Sequence, residues 1–247
     1  MSARAVTAAE ADSLHERGWV RLPGLIDAAT TAALLGRAQE LRERAPTAAP
    51  PPGTLLFPSE HDALFREFAC DAALGRVAAS LLAFDGGMRL WGDAVAVVDG
   101  GTRLPPAASH WHQDAGKLPL DRAAVGLWIA LDEITTDQGP LRFREGSHLL
   151  GPLGALESEA AIHAWPRLAR CPVSGARELA PGDATAHLSL TVLAAGDNRS
   201  SRTLWPYSLK YFPDGTRYTG MGVSRTAGMD LETFSELGDP AFPIAAG

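Results

Sequence analysis

The stretch Met88-Arg-Leu-Trp-Gly-Asp-Ala-Val-Ala-Val-Val98 marks the point where this 247-residue sequence changes from helical to β-favouring patterns. From here on, short runs rich in β-branched and aromatic residues alternate with Gly, Pro and Asp, a pattern typical of strands joined by turns. Strands are predicted over 88–91, 94–98, 124–131, 141–143, 183–187, 190–193 and 207–211. Several short strands after a helical region predict an α+β, mainly β fold, a β-barrel or jelly roll with N-terminal helices packed outside it.

The residues on either side of this β-rich region complete the organisation. Thr7 and Glu10 have the spacing of a capping box, and Asp27 stands where a second helix begins. We predict a helix over 7–18, a strand over 18–24, a helix from 27, a proline-rich loop over 45–53, a helix over 62–84 and a surface tail over 228–247. The sequence shows neither an internal repeat nor a second domain boundary, so residues 1–247 are predicted to form one domain.

Charge and composition exclude several classes of partner. The net charge is −7 at pH 7, and lysines and arginines form no cluster. Nucleic acids and anionic membranes are bound by neutralising their negative charge, so neither is an expected partner. The sequence contains no apolar run of spanning length, its first residues lack the features of a secretory signal, and its two cysteines are too few for a disulfide framework. We expect a cytoplasmic protein that binds a small organic molecule.

The motif His110-Trp-His112-Gln-Asp114 carries the sharpest chemical signal. In a strand, residues two apart point to the same side, so His112 and Asp114 would project together into a barrel. An imidazole and a carboxylate from one strand, with one distant histidine, form the facial triad of non-haem iron oxygenases. A lone HxD arises easily by chance, so the interpretation depends on the surrounding sequence.

That surrounding sequence resembles the phytanoyl-CoA dioxygenase family. The resemblance is carried by RLWGD (89–93), WHQD (111–114), LWIALDE (127–133), GPLRFREGSH (139–148), PGD (181–183) followed by His187, GDNRS (196–200) and YFPDGTRY (211–218). Their order and spacing follow the family. The resemblance implies a double-stranded β-helix, the cupin-like form of the jelly roll, with Fe(II) and 2-oxoglutarate bound in its mouth.

Two departures from the family pattern concern this site. The resemblance places the distal iron-binding histidine at Leu193 and the arginine that holds 2-oxoglutarate at Leu204. Leucine can neither give a lone pair to a metal nor form a fork to a carboxylate. Only His112 and Asp114 remain as metal ligands, should a metal bind. The two losses together indicate that oxidative chemistry has been abandoned and that no cofactor is required.

Three functions remain open. The first is a natural-product tailoring enzyme that works without iron or 2-oxoglutarate and transfers protons, as in cyclisation, isomerisation, epimerisation or dehydration. His112 would be its acid or base, oriented by Asp114, with His187 or Lys117 as the second proton-transfer group. The predicted substrate pocket is formed by Trp91, Trp111, Trp128, Leu193, Leu204 and Tyr207. The second is an Fe(II)/2-oxoglutarate hydroxylase with a non-standard third ligand, and the third is a non-catalytic binding protein.

Overall fold

The structure is a computed structural model that describes residues 3–44, 54–105, 109–156 and 158–246. The predicted loop over 45–53 lies outside these ranges. The described α-helices are α1 (Ala8–Arg17), α2 (Ala28–Arg44), α3 (Pro58–His61), α4 (Ala63–Ala69), α5 (Ala72–Leu81), α6 (Glu159–His163) and α7 (Pro166–Ala169). Short 3₁₀ helices span Asp114–Lys117, Thr136–Gln138, Ser147–Leu150 and Ser224–Thr226. No helix within these ranges is long and apolar enough to cross a membrane.

The strands form two antiparallel sheets, as expected for a double-stranded β-helix. They are β1 (Trp19–Leu22), β2 (Leu55–Leu56), β3 (Met88–Val95), β4 (His112–Gln113), β5 (Val125–Ala130), β6 (Arg142–Phe143), β7 (Ala184–Leu188), β8 (Val192–Ala194), β9 (Pro206–Pro213) and β10 (Ile244–Ala246). The large sheet has the order β1-β7-β5-β9-β3-β10, with β2 also paired to β3, and the small sheet has the order β4-β8-β6. The predicted fold class is therefore confirmed.

The N-terminal helices begin where their capping residues predict. Thr7 Oγ1 accepts a hydrogen bond from the Glu10 N–H, and Glu10 Oε2 accepts one from the Thr7 N–H. Asp27 accepts from the N–H of Thr30 at the start of α2. The single helix predicted over 62–84 is wrong, because Asp71 accepts from the Ala73 N–H at 2.7 Å and starts a new helix, α5.

The two faces of the large sheet have different neighbours. Tyr207, Leu209 and Tyr211 on one face of β9 belong to the main core, which also contains Phe65 and Phe68 of α4. Because side chains alternate along a strand, the residues between them point the other way, toward the small sheet. This second face lines the interior of the barrel, and the candidate site lies there.

The C-terminal segment is part of the fold, so the predicted surface tail is wrong. Strand β10 pairs with β3, and the Phe242 ring stacks on Trp91 with 5.0 Å between ring centroids. Leu237 and Phe242 are both 1% exposed. The apolar residues of this polar-looking segment are spaced widely, yet they cover one end of the barrel.

Candidate active site

Asp114 is the centre of the candidate site. Strand β4 ends at Gln113, so Asp114 opens a 3₁₀ helix instead of continuing the strand. Its side chain is 8% exposed, and its Oδ2 atom lies 3.0 Å from His187 Nε2 and 2.6 Å from Lys210 Nζ. Burial alone would raise the pKa of this carboxyl, but Lys210, His187 and His112 outweigh burial and hold it well below its usual range. Asp114 is therefore an ionised carboxylate inside the barrel.

His112 lies on the other side of this carboxylate and has a different orienting partner. Its Nδ1 atom lies 3.0 Å from the His110 carbonyl oxygen, whereas its Nε2 atom is 3.9 Å from Asp114 Oδ1. A carbonyl only accepts, so Nδ1 carries the proton and Nε2 presents a lone pair. Burial lowers the pKa of His112; Asp114 and the His110 carbonyl oppose this, and Lys117 and Lys210 act in the same direction as burial, so the pKa stays below its usual value. The predicted orienting role of Asp114 is replaced by the His110 backbone.

His187 is enclosed in the barrel interior. It is 4% exposed, lies 5.7 Å from the Phe143 ring centroid and faces Gly126 across the β5–β7 pairing. A Cβ atom on Gly126 would lie 2.6 Å from both Cε1 and Nε2 of the imidazole. The glycine is therefore required for the ring to occupy this position. His187 thus orients Asp114 and is shielded from a substrate.

Lys210 is the member of the site that the sequence analysis missed. It lies on β9 opposite Gly126, with its ammonium on Asp114. A signal was present, because Ser208 and Lys210 alternate with the core residues Tyr207, Leu209 and Tyr211. A lysine at an inward position of a strand that is buried on its other face indicates a buried or half-buried anion.

A cavity of about 1140 Å³ adjoins this cluster. Its wall includes His112, Lys117 and Trp111, but not Asp114, His187 or Lys210. The remaining lining is mainly apolar, with Leu118, Leu120, Pro152, Ala155, Leu156, Leu190 and Met221 among its residues. The Trp111 indole also contacts the guanidinium groups of Arg142 and Arg144, 5.5 and 4.9 Å from the ring centroid. His112 is thus the group that connects the ion cluster to the cavity.

Five of the six predicted pocket residues lie elsewhere. Trp91 packs with Phe212 and Phe242, Trp128 and Leu204 share an apolar cluster with Val98 and Leu104, and Tyr207 donates from its hydroxyl to Asp93 in the main core. Leu193 packs with Trp19 and Phe143. These corrections have one cause: the five side chains fill the barrel interior and the space between sheet and helices, whereas the cavity is lined by apolar residues from other segments. Trp111 alone of the six lines it.

The residues present do not fit the iron centre that the resemblance implies. Leu193 pairs with His112 in the β4–β8 register, so a methyl-bearing side chain stands beside the two remaining ligands. Asp114 already has His187 and Lys210 on Oδ2. The described part of the chain contains no group of three or more His, Cys, Asp or Glu residues arranged to hold a metal ion. Around Leu204, an apolar cluster replaces the cationic contact that 2-oxoglutarate would need.

The double-stranded β-helix places this protein in the class of cupin-like barrels, and its HxD motif begins on β4, an edge strand of the small sheet. Residues 14–203 match the phytanoyl-CoA dioxygenase (PhyH) family, and the chain belongs to this family of enzymes. No curated protein matches the sequence.

Solved structures with the same fold include two enzymes from nogalamycin biosynthesis. The non-haem α-ketoglutarate-dependent epimerase SnoN from nogalamycin biosynthesis is 23% identical, with 96% of this chain and 97% of that chain covered and a TM-score of 0.79. The non-haem α-ketoglutarate-dependent carbocyclase SnoK from the same biosynthesis is 19% identical, with 99% of each chain covered and a TM-score of 0.82. EvdO2 from Micromonospora carbonacea var. aurantiaca is 19% identical, covering 91% and 97%, with a TM-score of 0.70. At these identities the likeness concerns the fold.

Proposed function

We propose that this protein is a natural-product tailoring enzyme that needs neither iron nor 2-oxoglutarate and rearranges a small organic substrate by proton transfer. Cyclisation, isomerisation, epimerisation and dehydration are the reactions of this kind. The observation that carries the proposal is the pairing of His112 with Leu193, which puts a side chain without a lone pair where a third ligand would have to be. The natural-product setting is supported by SnoN and SnoK, which act in nogalamycin biosynthesis.

The chemistry follows from His112 and Lys117, two of the polar residues on the cavity wall. His112 offers a neutral imidazole with Nε2 free, which can take a proton from a carbon next to a carbonyl group. As the C–H bond breaks, its electron pair moves to the carbonyl oxygen. The Lys117 ammonium on the same wall can stabilise the resulting enolate. The imidazolium then returns the proton from the same face to a carbon conjugated with the enolate, or the Lys117 ammonium delivers a proton to the opposite face while His112 releases its own to water. Neither route consumes an oxidant.

Metal binding provides the first test. Purified protein is titrated anaerobically with Fe(II), with and without 2-oxoglutarate, and succinate formation is measured. We expect no stoichiometric iron, no charge-transfer band and no succinate. Tight iron binding with a band that depends on 2-oxoglutarate would establish the alternative, an Fe(II)/2-oxoglutarate hydroxylase, which the iron and α-ketoglutarate bound to SnoN favour.

Hydrogen exchange provides the second test. Nogalamycin is the probe, because a solved structure of SnoN contains nogalamycin RO. The protein, the probe and a chelator are incubated in deuterated water, and deuterium at carbon is followed by mass spectrometry. We expect exchange that His112→Gln and Lys117→Met reduce at least about tenfold. His15→Gln, at an exposed site on α1, is the matched control and should retain the rate.

The third possibility, a non-catalytic binding protein, makes a different prediction for the same experiment. Binding of the probe, measured by calorimetry, would then be unaccompanied by exchange, and His112→Gln would leave the affinity unchanged. Exchange that is equally fast in wild type and His112→Gln would contradict the assigned base.

A further inference from the structure

The Lys210–Asp114 ion pair is the feature of this barrel that the proposed function does not itself explain. An ionised carboxylate that is 8% exposed is costly unless a positive charge and hydrogen bonds compensate it. Lys210 Nζ supplies that charge at 2.6 Å, and His187 Nε2 supplies a hydrogen-bonding partner at 3.0 Å on the same oxygen. Both partners come from the large sheet, whereas Asp114 follows a strand of the small sheet.

The register of the large sheet places these groups in one row. His187 on β7, Gly126 on β5 and Lys210 on β9 lie directly opposite one another on three neighbouring strands. The central residue has no side chain, and any Cβ there would collide with the imidazole. The row therefore has a histidine and a lysine on either side of a residue without a side chain, and both side chains contact Asp114 on the other side of the barrel.

We propose that the ammonium of Lys210 takes the place of the divalent cation in this barrel: it neutralises Asp114, holds it against His187 and keeps metal ions from binding. This inference rests on the proposed function, in which no metal takes part. Lys210 contacts Asp114 Oδ2, whereas His112 Nε2 faces Oδ1, so a metal ion held by His112 and Oδ1 would share one carboxylate with the ammonium. Two positive charges would then lie side by side in a partly buried site, which weakens metal binding. Lys210 is thus a positioning residue, because it touches the carboxylate and does not line the cavity.

Restoring the missing ligand gives a direct test. Leu193→His adds an imidazole next to His112, and Leu193→His/Lys210→Met also removes the ammonium. Co(II) binding to both variants is measured by calorimetry and by the visible spectrum of the bound ion. We expect the double variant to bind Co(II) at least about tenfold more tightly than Leu193→His alone. Equal affinities would overturn the inference.

Two controls separate charge from other effects. Leu193→His/Lys210→Arg keeps a positive charge and should bind Co(II) as weakly as Leu193→His. Leu193→His/Lys117→Met removes a lysine whose charge acts on His112 but which makes no hydrogen bond or ion pair with Asp114, so its gain should be clearly smaller than that of Lys210→Met. A gain equal to that of Lys210→Met would contradict the inference. If Lys210→Met does not fold, as judged by circular dichroism and thermal unfolding, Lys210→Gln takes its place.

The inference and the proposed function fail in different ways. If no hydrogen exchange occurs but the Co(II) affinities differ as expected, the proton-transfer function is contradicted and the role of Lys210 stands. If exchange occurs but the Co(II) affinities are equal, the role of Lys210 is contradicted and the proton-transfer function stands.

Discussion

At the residue scale, the site depends on an absent side chain. Gly126 lies between His187 and Lys210, and its missing Cβ leaves room for the imidazole that contacts Asp114. The sequence predicted that His112 and Asp114 would project together and offered His187 or Lys117 as a second proton-transfer group; of these two, His187 contacts Asp114 and Lys117 lines the cavity. It did not predict the ion cluster, because the partner of a buried carboxylate is decided by the register of three strands, which no local pattern encodes.

Gly126→Ala is expected to destabilise the protein by about 1–3 kcal/mol, since the new methyl group would overlap His187 in a packed interior. The free energy of unfolding is measured by urea denaturation. Gly36→Ala is the matched control: no atom lies within 4 Å of its added Cβ, and alanine favours helix α2, so a change of about zero or a small gain is expected. Equal changes in the free energy of unfolding of the two variants would show that His187 can move to make room for the methyl group without loss of stability.

At the scale of elements, Asp93 connects helix α3 to the large sheet. Its carboxylate accepts from Ser59 Oγ and Tyr207 OH, both at 2.7 Å, and from the Ser59 N–H at 3.1 Å. The elements themselves could be predicted well, because capping residues and strand alternation are local signals. Their attachment could not, since Asp93 and Tyr207 are far apart in the sequence and meet only through the β3–β9 pairing.

Burial raises the pKa of Asp93 above its usual range, although Ser59 and Tyr207 oppose this. The folded state therefore binds the proton more tightly than the unfolded state, so the contribution of Asp93 to stability is fully present below about pH 4 and is lost as the pH rises through the folded pKa. We expect Asp93→Asn to become more stable relative to wild type as the pH rises from 4 to 7. Urea denaturation at several pH values measures this difference. A difference that is constant with pH would show that the pKa of Asp93 is unchanged on folding.

At the scale of the whole molecule, the C-terminal segment closes one end of the barrel. Phe242 contacts Trp91 and Phe212, and β10 extends the sheet beyond β3. The double-stranded β-helix could be predicted from the order of motifs, but this closure could not. The C-terminal segment has scattered apolar residues among Gly, Pro and Asp, which is the composition of a surface tail. Only the burial of those apolar residues in the structure shows that the segment belongs to the fold.

Phe242→Ala is expected to lower the free energy of unfolding by about 3–5 kcal/mol, as for other large-to-small changes in a core. Phe234→Ala in the same segment is the matched control, because Phe234 is 66% exposed and its loss should change stability by no more than about 0.5 kcal/mol. Thermal and urea unfolding measure both. A small effect of Phe242→Ala would mean that the segment can detach without unfolding the barrel.

The pairing of Lys210 with Asp114 also bears on how the protein behaves in a living cell. A cation that belongs to the chain is present from the moment of synthesis, cannot be lost to chelators and cannot be inactivated by exposure to air. On the proposed function, the enzyme would stay active in iron-starved or anaerobic cultures, in which an enzyme that needed Fe(II) and dioxygen would lose its activity.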